Sequence, residues 1–250
     1  MTEILIEHLN IRYSDGAESL RDINLKIWGN AVNVLFGPSG GGKSTLLRTL
    51  NRLNDLADVV YTSGKILLNG VDILDPQVDV IELRRKVGIV FSRPIPLPLT
   101  VYDNVSYGLK MAGIRKKEQV DEAVEWGLRM AVLWDEVKDR LKDPASSLSG
   151  GQKQRLCLAR TLALKPEVIL LDEPTSALDP VSTARIESLL LELKKDFTIV
   201  LAPHNTQQAA RMADFAAFFL QGELIEIGDQ NIFTKPRDRR TQDYVEGRFG

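Results

Sequence analysis

Short apolar runs recur along the chain: Val32 to Phe36, Ile89 to Phe91, Val168 to Leu171, Thr198 to Leu201 and Phe215 to Leu220. Each is too short for a helix and shows little alternation, so each predicts a buried strand. Between them the spacing changes. Leu46, Leu47, Leu50 and Leu53 recur at helical intervals, as do Arg155, Leu158 and Leu162. Asn69-Gly70, set between Lys65-Ile-Leu-Leu68 and Val71-Asp-Ile73, predicts a tight hairpin, and Gln221-Gly222 predicts another after Leu220. From about 92 to 147 the strand signal disappears. Val120, Val124 and Leu128, then Leu133, Val137 and Leu141, define helical faces, with charge runs such as Lys116-Lys117-Glu118 and Asp135-Glu136 as their wet sides. The pattern predicts one unit over residues 1–250: a core made of 1–91, mainly strands and turns around the helix after Phe36, and of 148–250, alternating strand and helix, with about 92–147 as an inserted helical subdomain. The core reading runs to about residue 233. No internal repeat or low-complexity tract interrupts it.

Composition narrows the class. Hydrophobic residues make up 44% and charged residues 26% of 250 residues, a globular mixture. With 32 Lys+Arg against 34 Asp+Glu the net charge is -2, which gives no electrostatic reason to expect a nucleic-acid partner. The single cysteine, Cys157, falls inside a predicted helix, where a small core residue is expected and no internal disulfide can form. No apolar run approaches the roughly 18 residues of a membrane span. Met1-Thr-Glu-Ile4 lacks the basic start and long apolar stretch of a secretory signal, so no leader is expected. If the protein works at a membrane, another chain must hold it there.

The chemistry is concentrated in three segments. Gly37, Pro38, Ser39, Gly40, Gly41, Gly42, Lys43, Ser44 and Thr45 follow a predicted strand and open a predicted helix, the context of a P-loop. Glycines at 37, 40, 41 and 42 allow positive φ and a close backbone approach. The N–H groups at the helix start can then face a polyphosphate. Lys43 supplies a point charge for the β- and γ-phosphates, and the Ser44 hydroxyl is placed to ligate Mg²⁺. ATP and Mg²⁺ are the expected ligands.

The second segment, Val168 to Leu171, ends in Asp172 and Glu173, which delivers two carboxylates to the edge of an α/β sheet where ligands bind. Asp172 is expected to hold the metal and Glu173 to polarise the attacking water. On its own the same pair would be an ordinary polar strand cap. The third segment is Leu148-Ser149-Gly150-Gly151-Gln152. Ser149 predicts a helix N-cap, and with Gly150, Gly151 and Gln152 it can form a second phosphate cradle at that helix start.

Taken in order, these segments resemble the ATP-binding cassette (ABC) ATPases, whose signature reads LSGGQ. The resemblance implies a P-loop, RecA-like α/β fold with an antiparallel β subdomain and an inserted helical subdomain. It also implies a head-to-tail homodimer in which each signature serves the other copy's ATP. Tyr13 then corresponds to an adenine-stacking aromatic, Ser176-Ala-Leu-Asp179 to the D-loop, and His204 to the switch histidine that contacts the γ-phosphate. As isolated residues, Tyr13 would be a half-buried strand tyrosine and His204 a satisfied polar residue. His8 has no such context and is expected at the surface.

The likeness is narrower still. Arg93-Pro-Ile-Pro-Leu-Pro98, Tyr102-Asp-Asn-Val105, Leu133-Trp-Asp-Glu-Val-Lys-Asp-Arg-Leu141, Leu156-Cys-Leu-Ala-Arg160, His204 to Arg211 and Asp243 to Gly250 resemble the ATPase subunit of bacterial phosphate importers. That resemblance implies two transmembrane permease subunits, an indirect periplasmic phosphate-binding partner, and a peripheral position on the cytoplasmic face of the membrane. The stiff 94–98 segment is expected to expose Ile95, Leu97 and Leu99 for docking of a permease helix. Two positions depart from the family pattern. Ser92 stands where a metal- and water-contacting glutamine is usual, which predicts slower hydrolysis or looser coupling. Pro203 stands where a small hydroxyl residue is usual, which puts the placement of His204 in question. Other cargoes (another anion or an amino acid), a soluble non-transport ABC ATPase, and a regulatory module that holds ATP without turnover remain open alternatives at the level of sequence.

Overall fold

The computed structural model describes residues 2–176 and 178–248. Met1, Ala177 of the expected D-loop, and Phe249 and Gly250 of the C-terminal match lie outside the described residues.

The first half of the core is an antiparallel sheet ordered β2-β1-β4-β5, built from β1 (Ile4–Tyr13), β2 (Glu18–Ile27), β4 (Val59–Leu68) and β5 (Val71–Asp72). In β1 the buried side chains run Ile4, Ile6, then Leu9, Ile11. The phase shift falls at His8, whose backbone has φ 50°, and the register with both neighbours slips between Ile6 or Glu7 and the residues that follow. A bulge here lets two stretches of different phase face one core. His8 itself is exposed, with Nδ1 2.7 Å from Asp22 Oδ1.

The second sheet is ordered β10-β9-β3-β8-β7-β6. It comprises β3 (Val32–Phe36), β6 (Val87–Val90), β7 (Val168–Asp172), β8 (Thr198–Ala202), β9 (Phe215–Leu220) and β10 (Glu223–Asp229). Every pair is parallel except β9 with β10. β3 and β8 are buried at all positions, as strands covered on both faces must be. One face packs on the antiparallel sheet and α1 (Lys43–Leu50). The other packs on α6 (Gly150–Leu162), α7 (Pro180–Leu193) and α8 (Thr206–Met212).

A separate apolar cluster holds α3 (Val101–Met111), α4 (Lys117–Met130) and α5 (Trp134–Val137) against α6. Val120, Val124, Leu128, Leu133 and Val137 all lie in it, so the helical spacing read from sequence is the buried face. Two helices went unread in the sequence. α2 (Val80–Lys86) lies in the stretch taken for strands and turns; Asp79 caps it by accepting from the N–H groups of Ile81 and Glu82. α9 (Arg239–Val245) lies past residue 233, where Tyr244 packs 5.1 Å from Phe218 and 6.3 Å from Phe36.

Candidate functional site

Parallel strands in one sheet release their chains at one edge, and that edge assembles the site. β3 runs into Gly37, β6 toward Ser92, β7 into Asp172 and Glu173, and β8 into Pro203 and His204. The register sets Asp172 opposite Ala202 and Val90 opposite Leu171, so these exits lie side by side.

The P-loop is shaped by close packing as much as by backbone freedom. Gly37, Gly40 and Gly42 have φ of 139°, 76° and 103°. A Cβ on Gly37 would lie 2.0 Å from the Phe219 carbonyl oxygen of β9, which no L-residue could meet without moving the loop. Gly41 does not share the positive φ expected of it. Its constraint is space, with Phe219 O and Pro38 O each 3.0 Å from a Cβ built there.

α1 starts at Gly42 without a side-chain cap, leaving its first N–H groups to point out of the helix end. Lys43 Nζ donates to Gly37 O and Pro38 O, each at 2.8 Å. Burial pushes the Lys43 ammonium below its ordinary pKa, while the Glu173 and then the Asp172 carboxylate pull it back up.

Ser44 Oγ donates to Asp172 Oδ1 at 3.0 Å across 128 residues of sequence. Hydroxyl and carboxylate oxygens suit a hard divalent cation, and Mg²⁺ usually completes its shell with waters and substrate phosphates. Among the described residues no group of three or more His, Cys, Asp or Glu side chains converges. The Ser44 hydroxyl and Asp172 carboxylate supply two hard oxygen donors, which fits a cation that takes the rest of its shell from other ligands.

Glu173 sits at φ 47°, a left-handed conformation uncommon for a non-glycine residue, and its N–H donates to Ala202 O at 2.8 Å. The turn ends β7 abruptly and brings Glu173 Oε2 to 3.7 Å from His204 Nδ1. Pro203 follows β8 directly and has no N–H to donate. His204 N–H is held instead by Gln208 Oε1 at 3.1 Å. Buried Gln208 also donates to Thr175 Oγ1 at 2.9 Å and to Glu187 Oε1 at 3.0 Å, joining the segment after Glu173 to α7 and to the histidine. Sequence reading missed Gln208. The signal was there in Asn205-x-x-Gln208, a helix-capping spacing in which Asn205 Oδ1 accepts the Gln208 N–H at 2.8 Å.

Tyr13 is half-buried and packs on the core, and its hydroxyl lies 3.3 Å from Thr45 Oγ1. Thr45 Oγ1 is also 2.7 Å from Ser19 Oγ, so the first turn of α1 is tied to β1 and β2. Ser92 is half-buried just past β6, and its side chain makes no hydrogen bond among the described residues. The adjacent Phe91 carbonyl accepts from Gln154 Nε2 of α6 at 3.0 Å.

The signature segment does not join this edge; its own bonds build the head of α6. Ser149 caps the helix by accepting the Gln152 N–H, and Gln152 Oε1 accepts the Ser149 N–H, a reciprocal capping box. Leu148 is buried beneath it, while Ser149 and Gly150 are exposed. In the proline segment Ile95 is 62% and Leu99 38% exposed, but Leu97 is not the exposed side chain the sequence suggested. It is half-buried, its N–H and C=O both taken by the Asn104 side chain at 2.7 and 3.1 Å.

A family model described as ABC transporter matches residues 20–176. Among solved structures, the chain is similar to cbiO1 from Clostridium perfringens, described as part of the ABC transporter complex cbiONQ. The two are 30% identical with a TM-score of 0.81, over 98% of this chain and 96% of that one.

Proposed function

This chain belongs to the ABC transporter family, and on that premise we propose that it is the ATP-hydrolysing subunit of an importer for inorganic phosphate. The observation that carries the hydrolytic part is the meeting of Lys43, Ser44, Asp172, Glu173 and His204 at one sheet edge. The uncapped start of α1 and the glycine-shaped loop receive the polyphosphate, and Lys43 exchanges two loop carbonyls for phosphate oxygens. Ser44 and Asp172 would hold Mg²⁺, which when bound neutralises charge on the β- and γ-phosphates. Glu173 takes the role of base toward the attacking water, a contribution of about 10²–10⁴-fold. His204, beside Glu173, faces the same γ-phosphate, and Tyr13 stacks on adenine.

Two copies pair head to tail, each presenting Ser149 to Gln152 to the other's nucleotide. Two permease subunits receive the closing motion through the 94–99 segment, at the cytoplasmic face of the membrane. The likeness to a chain of a multi-component transporter complex supports assembly with membrane partners. No helix of the described residues is long and apolar enough to cross a membrane. The phosphate reading rests on the resemblances at 93–98, 102–105, 133–141, 156–160, 204–211 and 243–250.

Labelled phosphate uptake tests the whole proposal, in cells lacking this chain and complemented with the parental sequence or with Glu173→Gln. Uptake restored by the parent alone is the expected result. Restoration by both would remove Glu173 from its role. Restoration by neither, with both chains folded and present at the membrane, would remove phosphate as the cargo.

A further inference from the structure

Glu136 lies on α5, away from the edge where Glu173 and His204 meet, yet it binds two other elements. Arg155 of α6 donates to both its carboxylate oxygens, at 2.8 and 3.0 Å. Gln152 Nε2 donates to Oε2 at 2.9 Å, and Arg185 of α7 donates to Oε1 at 3.3 Å. Its pKa is held below the ordinary glutamate value by the Arg155 hydrogen bond first, against a smaller opposing effect of burial. Asp135 and Glu136 both lie on the wet face, as the charge run suggested, but Asp135 is 84% exposed in its side chain while Glu136 is 33% exposed and spends its carboxylate on three partners.

The same arginine pins an unusual turn. Val132 is β-branched at φ 51°, where such a residue is an outlier, and its carbonyl accepts from Arg155 Nη1.

Gln152 is the residue that closes the capping box with Ser149, so Glu136 is one hydrogen bond away from the signature cap. α7 meets the signature at a second point. A Cβ on Gly151 would lie 2.7 Å from Ser182 Oγ, and that hydroxyl donates at 2.6 Å to Asp179, the N-cap of α7. Farther along α7, Glu187 accepts from Gln208, which holds the His204 backbone. One helix therefore meets the signature directly at Ser182 and, by way of Glu136, from Arg185, and it reaches the hydrolytic edge through Glu187.

We propose that Glu136 is a positioning residue that locks the Ser149–Gln152 cradle to α7, so that the helix bracing His204 also sets the orientation of the cradle offered to the partner copy. This rests on the ATPase reading above and adds an internal link between the two half-sites one chain carries. A two-ended tie of this kind orients a phosphate-binding surface without touching the nucleotide in its own P-loop.

The test uses the purified full-length chain, with trinitrophenyl-ATP binding, Mg-ATP turnover against ATP concentration, and thermal melting measured side by side. Glu136→Gln is expected to lower kcat about tenfold while analogue affinity stays within about twofold, the pattern of an interaction felt in the transition state. Arg185→Ala is expected to lower kcat about threefold, Arg185→Lys to restore it, and the alanine effect to vanish on the Glu136→Gln background, as coupled residues require. Arg185 is exposed, so its variants carry the test if Glu136→Gln does not fold. Parental kcat in both variants, with at most a lower melting temperature, would reduce Glu136 to a stabilising residue and overturn the proposal. Simple addition of the two effects would remove the tie to α7. A parental chain that binds the analogue but never turns over ATP would sink the hydrolytic reading itself, and this inference with it.

Discussion

At the scale of single residues, the site depends on backbone conformations that are costly elsewhere. Glu173 in the left-handed region ends a buried strand in one step and turns its carboxylate toward His204. Gly37 leaves room for a β9 carbonyl that any side chain would strike. Ser92 stands apart from these. It follows β6 at the same edge as Asp172, but a serine side chain is two bonds shorter in reach than the glutamine that the sequence resemblance leads one to expect there. The expectation is that Ser92→Gln raises Mg-ATP turnover several-fold, less than the roughly 10²–10⁴-fold that a positioned general base contributes. A steady-state phosphate-release assay on the two proteins decides it, and unchanged turnover would show that the serine already suffices.

Elements, rather than residues, decide which side chains meet. The proline segment between β6 and α3 is extended because of its prolines, but Asn104 on α3 determines which of its apolar residues face out. That contact turns Leu97 inward and leaves Ile95, 62% exposed, the most accessible apolar side chain of the segment that we propose for docking. Ile95→Asp is therefore expected to reduce co-purification of the permease subunits by about tenfold or more, since interface anchors carry about 2 kcal/mol or more. Trinitrophenyl-ATP binding should stay at the parental level. Quantifying permease recovered with tagged Ile95→Asp and with tagged parent checks this, and equal recovery would place docking elsewhere. α6 plays a comparable role on its other side. Its inner face, with Leu156 and Ala159 buried, anchors the three-helix cluster, while its capped head stays exposed.

For the whole molecule the decisive fact is separation. The P-loop edge and the signature cap are built at different places within one chain, as the proposed head-to-tail pairing of two copies with closed symmetry requires. Two inactive variants should then complement each other. Lys43→Ala spoils the P-loop and Ser149→Arg the cradle, yet a mixed dimer keeps one intact pair. Mixing them in equal amounts should recover roughly a quarter of parental turnover, since half of random dimers are mixed and each has one working site of two. Turnover that stays at the level of either variant alone would argue against head-to-tail pairing. What the sequence determined by itself was local. Uniform apolar runs marked the buried strands, 3.6-residue spacing marked the helical cluster, and the Gly37–Ser44 and Leu148–Gln152 segments declared their caps and loops, because these are short-range consequences of sterics and burial. Tertiary structure decided the rest. The parallel order of β3, β8, β7 and β6 brought Ser44 to Asp172 over 128 residues. Gln208 was set under His204 and Glu136 between three helices, because contacts across elements depend on which faces pack together, and no spacing along the chain records that.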